Sequence, residues 1–184
     1  MTEPHSPILD HYESFFGEML RGFLGSLRGV SAVELRDGDV TLVGTVGLSL
    51  YPRKSPISDQ VLRQELLMMW RGDANAREVA AVLLGLCVRV VTVAPLLRGE
   101  VLDLGSPIHA GSRFSHVVAT VPAFLPEGFA LCETPQGVCV FCWLMPLSAA
   151  EVAFVRQRGW PELEDRLEGA TSGLLDVSRA DVVE

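Results

Sequence analysis

Apolar residues Ile8, Leu9, Tyr12, Phe15, Phe16, Met19, Leu20, Phe23, Leu24 and Leu27 recur at spacings of three and four. That period puts them on one broad helix face and predicts a helix over residues 7–27. Ser6 followed by Pro7 supplies an N-cap and a proline at the first helical position. The period then shortens to two. Residues 30–36 and 40–46 are β-rich runs divided by Asp37-Gly38, a hairpin signal because both positions tolerate positive φ. Thr45-Val46-Gly47-Leu48-Ser49 closes the second strand. If that strand end needs a tight backbone, Gly47→Val costs roughly 1 to 3 kcal/mol. Residues 51–56 carry Pro52 and Pro56 and read as a loop. Residues 60–70 contain Glu65-Leu66-Leu67-Met68-Met69-Trp70, which suits a buried strand or a helix equally well.

Asp73 is placed to cap a helix from residue 74 to about residue 87. Pro95, Gly99, Gly105-Ser106-Pro107 and Ala110-Gly111-Ser112 mark loops. Residues 114–121 alternate as a strand. Residues 129–133 and 138–144, joined by Thr134-Pro135-Gln136-Gly137, predict a second hairpin that Pro146 ends. Ser148 and Glu151 form a capping box for a helix from Ala149 to about Arg158. Pro161 opens a further helical turn with Leu163 and Leu167, and the tail docks through Leu174, Leu175 and Val177. Hairpins in this mixed order predict an α+β fold with a mixed, largely antiparallel sheet, not a doubly wound parallel one. There is no internal repeat or low-complexity linker, so a single domain over residues 1–184 is the simplest organisation.

Composition supports a packed globular chain. The 184 residues are 48% hydrophobic and 21% charged. A domain of this size buries roughly 70% of its unfolded surface and needs no metal or disulfide to fold. The formal net charge of -8 repels phosphate backbones, which argues against nucleic acid as a partner. The N-terminus lacks the basic, apolar and small-residue regions of a signal peptide, which points to the cytoplasm. The apolar stretch 79–97 is interrupted by Gly85, Arg89 and Pro95 and suits a soluble core better than a bilayer. Cys87, Cys132, Cys139 and Cys142 then read as reduced core thiols.

Few residue patterns along the chain offer reaction chemistry. Cys139 and Cys142 form a C-x-x-C, but residues three apart in a strand face opposite ways, and no second pair completes a zinc set. Gly47-Leu48-Ser49 is not followed by the second glycine of a nucleophile elbow. No phosphate-binding glycine loop lies at a strand-to-helix turn. His109, Ser112 and His116 in a glycine-rich loop and the strand after it, or Cys139, are the residues from which a small hydrolase-like enzyme could be built. The candidate partner-binding residues are Arg53 and Lys54 on the proline-flanked loop, and Glu162, Glu164, Asp165 and Glu168 around Arg166. Without a partner, the first pair is a solvated turn and the acidic group a solubilising helix face.

Several segments, taken in order, resemble the suppressor-of-fused domain family. They are Thr45-Val46-Gly47-Leu48-Ser49, Arg63-Gln64-Glu65-Leu66-Leu67-Met68-Met69-Trp70, the helix ending near Pro95-Leu96, Gly99 and Gly105-Ser106. Residues 138–146 with Leu147, then Gly159 and Leu163, and the closing Asp176-Val177-Ser178-Arg179 complete the match. The resemblance covers residues 11–182, and its specificity lies in order and spacing. It implies a strand at residues 63–70 and a curved sheet flanked by helices. It is similar to the short single-domain bacterial form and lacks the second domain of the animal proteins, so their two-domain peptide clamp does not carry over. The resemblance implies no catalytic residues, no cofactor and no metal. It implies a non-enzymatic module binding another protein, an immunity protein that neutralises a toxin partner. A regulatory subunit unrelated to toxins remains the other non-enzymatic reading.

Overall fold

The computed structural model describes residues 6–169 and 173–183. Ser6 accepts the Leu9 amide and Pro7 opens helix α1 (Pro7–Phe16), as the sequence signals require. The helix does not reach residue 27. Gly17 takes φ 77° and donates its N–H to the Glu13 carbonyl at 2.9 Å, which stops it. Leu20 N–H then bonds the Glu34 carbonyl at 2.9 Å, and the chain enters the sheet as β1 (Arg21–Leu24). The helical spacing of Phe23 and Leu24 conceals an edge strand in which Phe23 packs inward and Leu24 is exposed.

The hairpin about Asp37-Gly38 forms as expected, from β2 (Ser31–Asp37) and β3 (Val40–Val46). Residues 51–56 are not wholly a loop. Arg53 and Lys54 form β4 (Arg53–Lys54), which pairs with β5 (Val61–Leu62) in a small ribbon whose prolines flank the paired residues. The ambiguous run is a strand, β6 (Gln64–Arg71). The next helix, α2 (Ala76–Thr92), is capped by Asn75 rather than Asp73, because Asn75 Oδ1 accepts the Arg77 amide at 3.0 Å. It also continues past Cys87, since Val90 is still buried.

A short strand unforeseen in the sequence, β7 (Val101–Asp103), precedes β8 (His116–Thr120). The second hairpin is β9 (Leu131–Thr134) with β10 (Gly137–Leu147). Pro146 does not end β10. It sits opposite Val117, where β6 no longer flanks the strand, so the missing N–H breaks no ladder. The capping box of Ser148 and Glu151 starts α3 (Ala149–Arg158), and α4 (Trp160–Gly169) follows.

The main sheet has the order β1-β2-β3-β6-β10-β8-β7, with β9 against the start of β10. Its central pair, β6 with β10, is parallel; the other pairings are antiparallel. Both faces are covered. Val79, Leu83 and Cys87 of α2 pack on Leu66, Met68 and Leu144. On the other face Tyr12, Val152, Leu163 and Leu167 pack with Leu67, Met69 and Trp143. A strand buried on both sides has no polar face, which is why β6 lacks alternation.

The cysteines follow this geometry. Cys139 and Cys142 lie on opposite faces, while Cys132 stands directly across the hairpin from Cys139. All four are free thiols. Burial pushes Cys87 and Cys142 up to about 12 and Cys139 higher still, so these thiols stay protonated.

Candidate functional site

Glu65 is a polar point of the interior, at 0% exposure. Thr45 Oγ1 donates to its carboxylate at 2.6 Å and Ser49 Oγ at 2.7 Å. The backbone N–H groups of Gly47 and Ser49 donate at 3.0 Å and that of Leu48 at 3.3 Å. To aim those amides inward, the chain turns sharply after β3, with Gly47 at φ 99°. A Cβ on Gly47 would lie 2.0 Å from the Gly29 carbonyl oxygen. Burial raises the Glu65 pKa, and the bonds from Thr45, Ser49 and Gly47 pull it back only in part. Enclosed by donors, Glu65 has no access to a substrate; it pins β6 to the turn after β3.

A second buried charge fastens the tail. Glu151, 0% exposed at its side chain, pairs with Arg179, whose second guanidinium nitrogen reaches Glu151 Oε2 at 2.8 Å and the Pro146 carbonyl at 2.9 Å. Arg113 bonds Asp181 beside it. Asp176 bridges Arg71 at the end of β6, and Leu174 is buried. The segments 45–49, 63–70 and 176–179 are therefore held in place by polar contacts inside the fold.

The residues of the enzyme reading are not gathered. His109 and Ser112 line a cavity of about 30 Å³ beneath Leu174 and Val177. His109 Nδ1 lies 3.0 Å from the Ala110 carbonyl, and Ser112 Oγ accepts the Phe114 amide at 3.1 Å. His116 sits elsewhere, 3.1 Å from Ser115 Oγ and 3.8 Å from Asp103, beyond hydrogen-bonding reach of that carboxylate. Cys139 is 0% exposed. His11 is stacked on Phe141 and bonds the Phe129 carbonyl, and His5 lies outside the described residues. Among the described residues no three His, Cys, Asp or Glu side chains are placed to hold a metal ion. No helix among them is long and apolar enough to cross a membrane.

The candidate partner-binding residues occupy two places. Arg53 and Lys54 are on the β4–β5 ribbon, where Lys54 pairs with Asp59 at 2.8 Å and Arg53 reaches the Val93 carbonyl at 3.4 Å. The acidic four are on α4. Leu163 and Leu167 turn inward, which turns Glu162, Asp165 and Glu168 to solvent. Glu164 is half-buried and bonds Arg98 at 2.8 Å.

Beneath the edge of α4 is a cavity of about 90 Å³ that sequence reasoning missed. Trp143 of β10, Trp160 of α4, Thr120, Arg98, Glu164 and Glu168 line it. Phe124 meets Trp143 edge-on at 5.3 Å. Gly99 lets the loop after α2 close on Trp160; a Cβ there would lie 2.9 Å from the indole ring. The indole N–H groups of Trp143 and Trp160 are buried and have no acceptor among the described residues. Val121 and Phe124 stay partly exposed at the rim, at 42% and 39%. No residue spacing announces this site, because β8, β10, α4 and two loops build it together.

The same architecture occurs in solved proteins. A putative suppressor of fused homologue from Neisseria gonorrhoeae superposes with a TM-score of 0.77 at 19% identity, covering 97% of this chain and 96% of that one. A chain in the crystal structure of the Sufu–Fu complex gives 0.67 at 12% identity, over 96% and 93% of the two chains. Drosophila Suppressor of Fused gives 0.59 at 14% identity; the match covers 90% of this chain but 42% of that larger protein. No curated protein matches by sequence. The family model for suppressor of fused protein matches residues 25–180, a span that includes the Glu65 cage, the Trp143–Trp160 cavity and the Arg179 clasp, and the chain belongs to that family.

Proposed function

We propose that this chain is a single-domain, non-enzymatic module that binds another protein and thereby neutralises it. The observation that carries the reading is the face made by α4 and the 121–126 loop. There Glu168 lines one cavity with partly exposed Val121 and Phe124, and Glu162 and Asp165 add to the solvent-facing acidic side of α4. An apolar patch rimmed by charge is the usual makeup of a protein contact surface. The acidic rim, on a chain of net charge -8, favours a partner with a basic face and speeds its encounter. A relative of the same fold, at 12% identity, is present in the Sufu–Fu complex. The Arg53–Lys54 ribbon is a second, smaller candidate contact.

The finer reading is an immunity protein whose partner is a toxin. Co-expression with the product of the neighbouring gene tests it. The expected result is rescue of growth and a stable complex on purification. Rescue is lost when Glu162, Asp165 and Glu168 are all replaced by lysine in a variant with an unchanged melting temperature. Cell death in the presence of the wild-type chain, with no complex recovered, overturns it.

A further inference from the structure

We propose that the cavity between α1, the β2–β3 hairpin and the 121–126 loop binds a small amphipathic amine, a protonated primary amine carried on an aromatic body. The cavity measures about 400 Å³. That lies within the range of about 300 to 1,000 Å³ usual for small-molecule sites. Phe15 and Phe16 of α1, Val40, Met69, Phe124 and Leu125 supply its apolar lining. The lining keeps contact with solvent. Phe124 is 39% exposed, Phe15, Val40 and Leu125 are half-buried, and Asp37 and Arg71 are exposed, so an occupant can reach them from outside. Phenyl rings beside aliphatic side chains suit an aromatic body.

The sheet fixes where the charges stand. Val33 and Leu35 turn to the α1 face, and strand alternation puts the Asp37 side chain on that face too. The register sets Asp37 opposite Val40 and Val40 opposite Arg71, one row across β2, β3 and β6. Two strand spacings, about 9.5 Å, separate the backbones of Asp37 and Arg71. Arg71 pairs with Asp39 instead, at 3.2 Å. The Asp37 carboxylate makes no hydrogen bond or ion pair among the described residues. Asp37 and Arg71 are the charged groups of the lining, so the charge left without a partner is negative. It selects a cation and opposes a carboxylate or phosphate ligand. An ammonium beside Asp37 leaves its aromatic body over Val40, against Phe15 and Phe16.

The site shares the 121–126 loop with the proposed contact face but needs no partner protein. Phenethylamine, phenethyl alcohol and hydrocinnamate are the probes: a cation, a neutral analogue and an anion on the same ring. The readout is the Met69 methyl resonance and the backbone amides of Asp37 and Val40 in the isotope-labelled protein. Met68, on the opposite face of β6 against α2, is the internal reference. Met69→Leu assigns the methyl peak. The expected result is a saturable phenethylamine shift at Met69, Asp37 and Val40 and none at Met68. Phenethyl alcohol binds about fivefold more weakly, the upper worth of an ion pair open to water, and hydrocinnamate more weakly still. Asp37→Asn, on an exposed side chain, abolishes the difference between amine and alcohol. The absence of a saturable amine shift overturns the proposal. So does alcohol or hydrocinnamate binding the wild-type protein as tightly as the amine, or an amine preference that survives in Asp37→Asn. A partner complex with an inert cavity would leave the module reading standing, and amine binding without a partner would leave this one.

Discussion

Glu65 and the Trp143–Trp160 pair are polar groups sunk in one protein and supplied in opposite ways. The β6–β10 register pairs Glu65 with Phe141 and Leu67 with Trp143, so Glu65 and Trp143 share one face of adjacent strands. Glu65 is met by five donors from a single turn. The indole N–H groups meet no acceptor among the described residues. A satisfied buried charge rigidifies its surroundings, whereas an unsatisfied buried donor lowers stability. The first is the signature of a structural pin; the second is a cost that the packing around the two rings must offset.

The largest expected effect strikes the pin through its backbone. Gly47→Val forces a β-branched residue to positive φ and into the Gly29 carbonyl, and about 4 kcal/mol of stability should be lost. Urea denaturation reads it; a midpoint shift worth under about 1 kcal/mol would mean the turn can re-form without Glu65's amides. This exceeds the cost inferred from the strand pattern because the glycine is a left-handed turn residue, not a strand end. Glu65→Gln should cost about 3 kcal/mol, since an amide NH2 would then face a ring made of donors.

That second loss should depend on pH. The folded-state pKa of Glu65 lies above the ordinary 4.5, so the folded protein holds this proton more tightly than the unfolded chain. The corresponding stabilisation is fully present below 4.5 and is lost as pH rises through the raised value. The stability gap between wild type and Glu65→Gln should therefore narrow from acid to neutral pH. A gap that widens over the same denaturation series would place the pKa below its ordinary value. Ser49→Ala removes one of the five donors but keeps the Ser49 amide, so about 1 kcal/mol is expected from the same denaturation curves. At the other pole, Trp160→Phe deletes a donor with no acceptor among the described residues and should cost less than about 1 kcal/mol by thermal melt. A loss as large as that of Glu65→Gln would mean the indole is a pin as well.

The parts of the fold legible in the sequence are those specified by neighbours along the chain. Asp37-Gly38, Thr134 to Gly137 and the Ser148–Glu151 box each act over a few residues, and each forms where expected. The α1–β1 boundary was illegible because the apolar spacing of Phe23 and Leu24 fits a helix, while the decision rests on Gly17 and a bond from Leu20 to β2. β6 could not be assigned from its own pattern because its two apolar faces are covered by different helices. The segments behind the family resemblance were visible, but their purpose was not. Thr45, Gly47 and Ser49 reach Glu65 from 16 to 20 positions away. At the candidate site the acidic outer face of α4 could be read from the spacing of Leu163 and Leu167. The cavity beneath could not, since its walls converge only when β10, β8 and α4 are packed.

The parallel contact between β6 and β10 also orders the assembly of the molecule in time. β1, β2, β3 and β6 form an antiparallel array of nearby segments, joined by two short loops and by the stretch that carries β4 and β5. β10 must be brought to β6 across the whole of α2, β7, β8 and β9, and that long closure carries the entropy that contacts between close neighbours avoid. The arrival of β10 is therefore the expected slow event of folding. The cage at Glu65 draws its donors from the early array and can exist before that event. The tryptophan cavity borrows a wall from β10 and comes into being only after it.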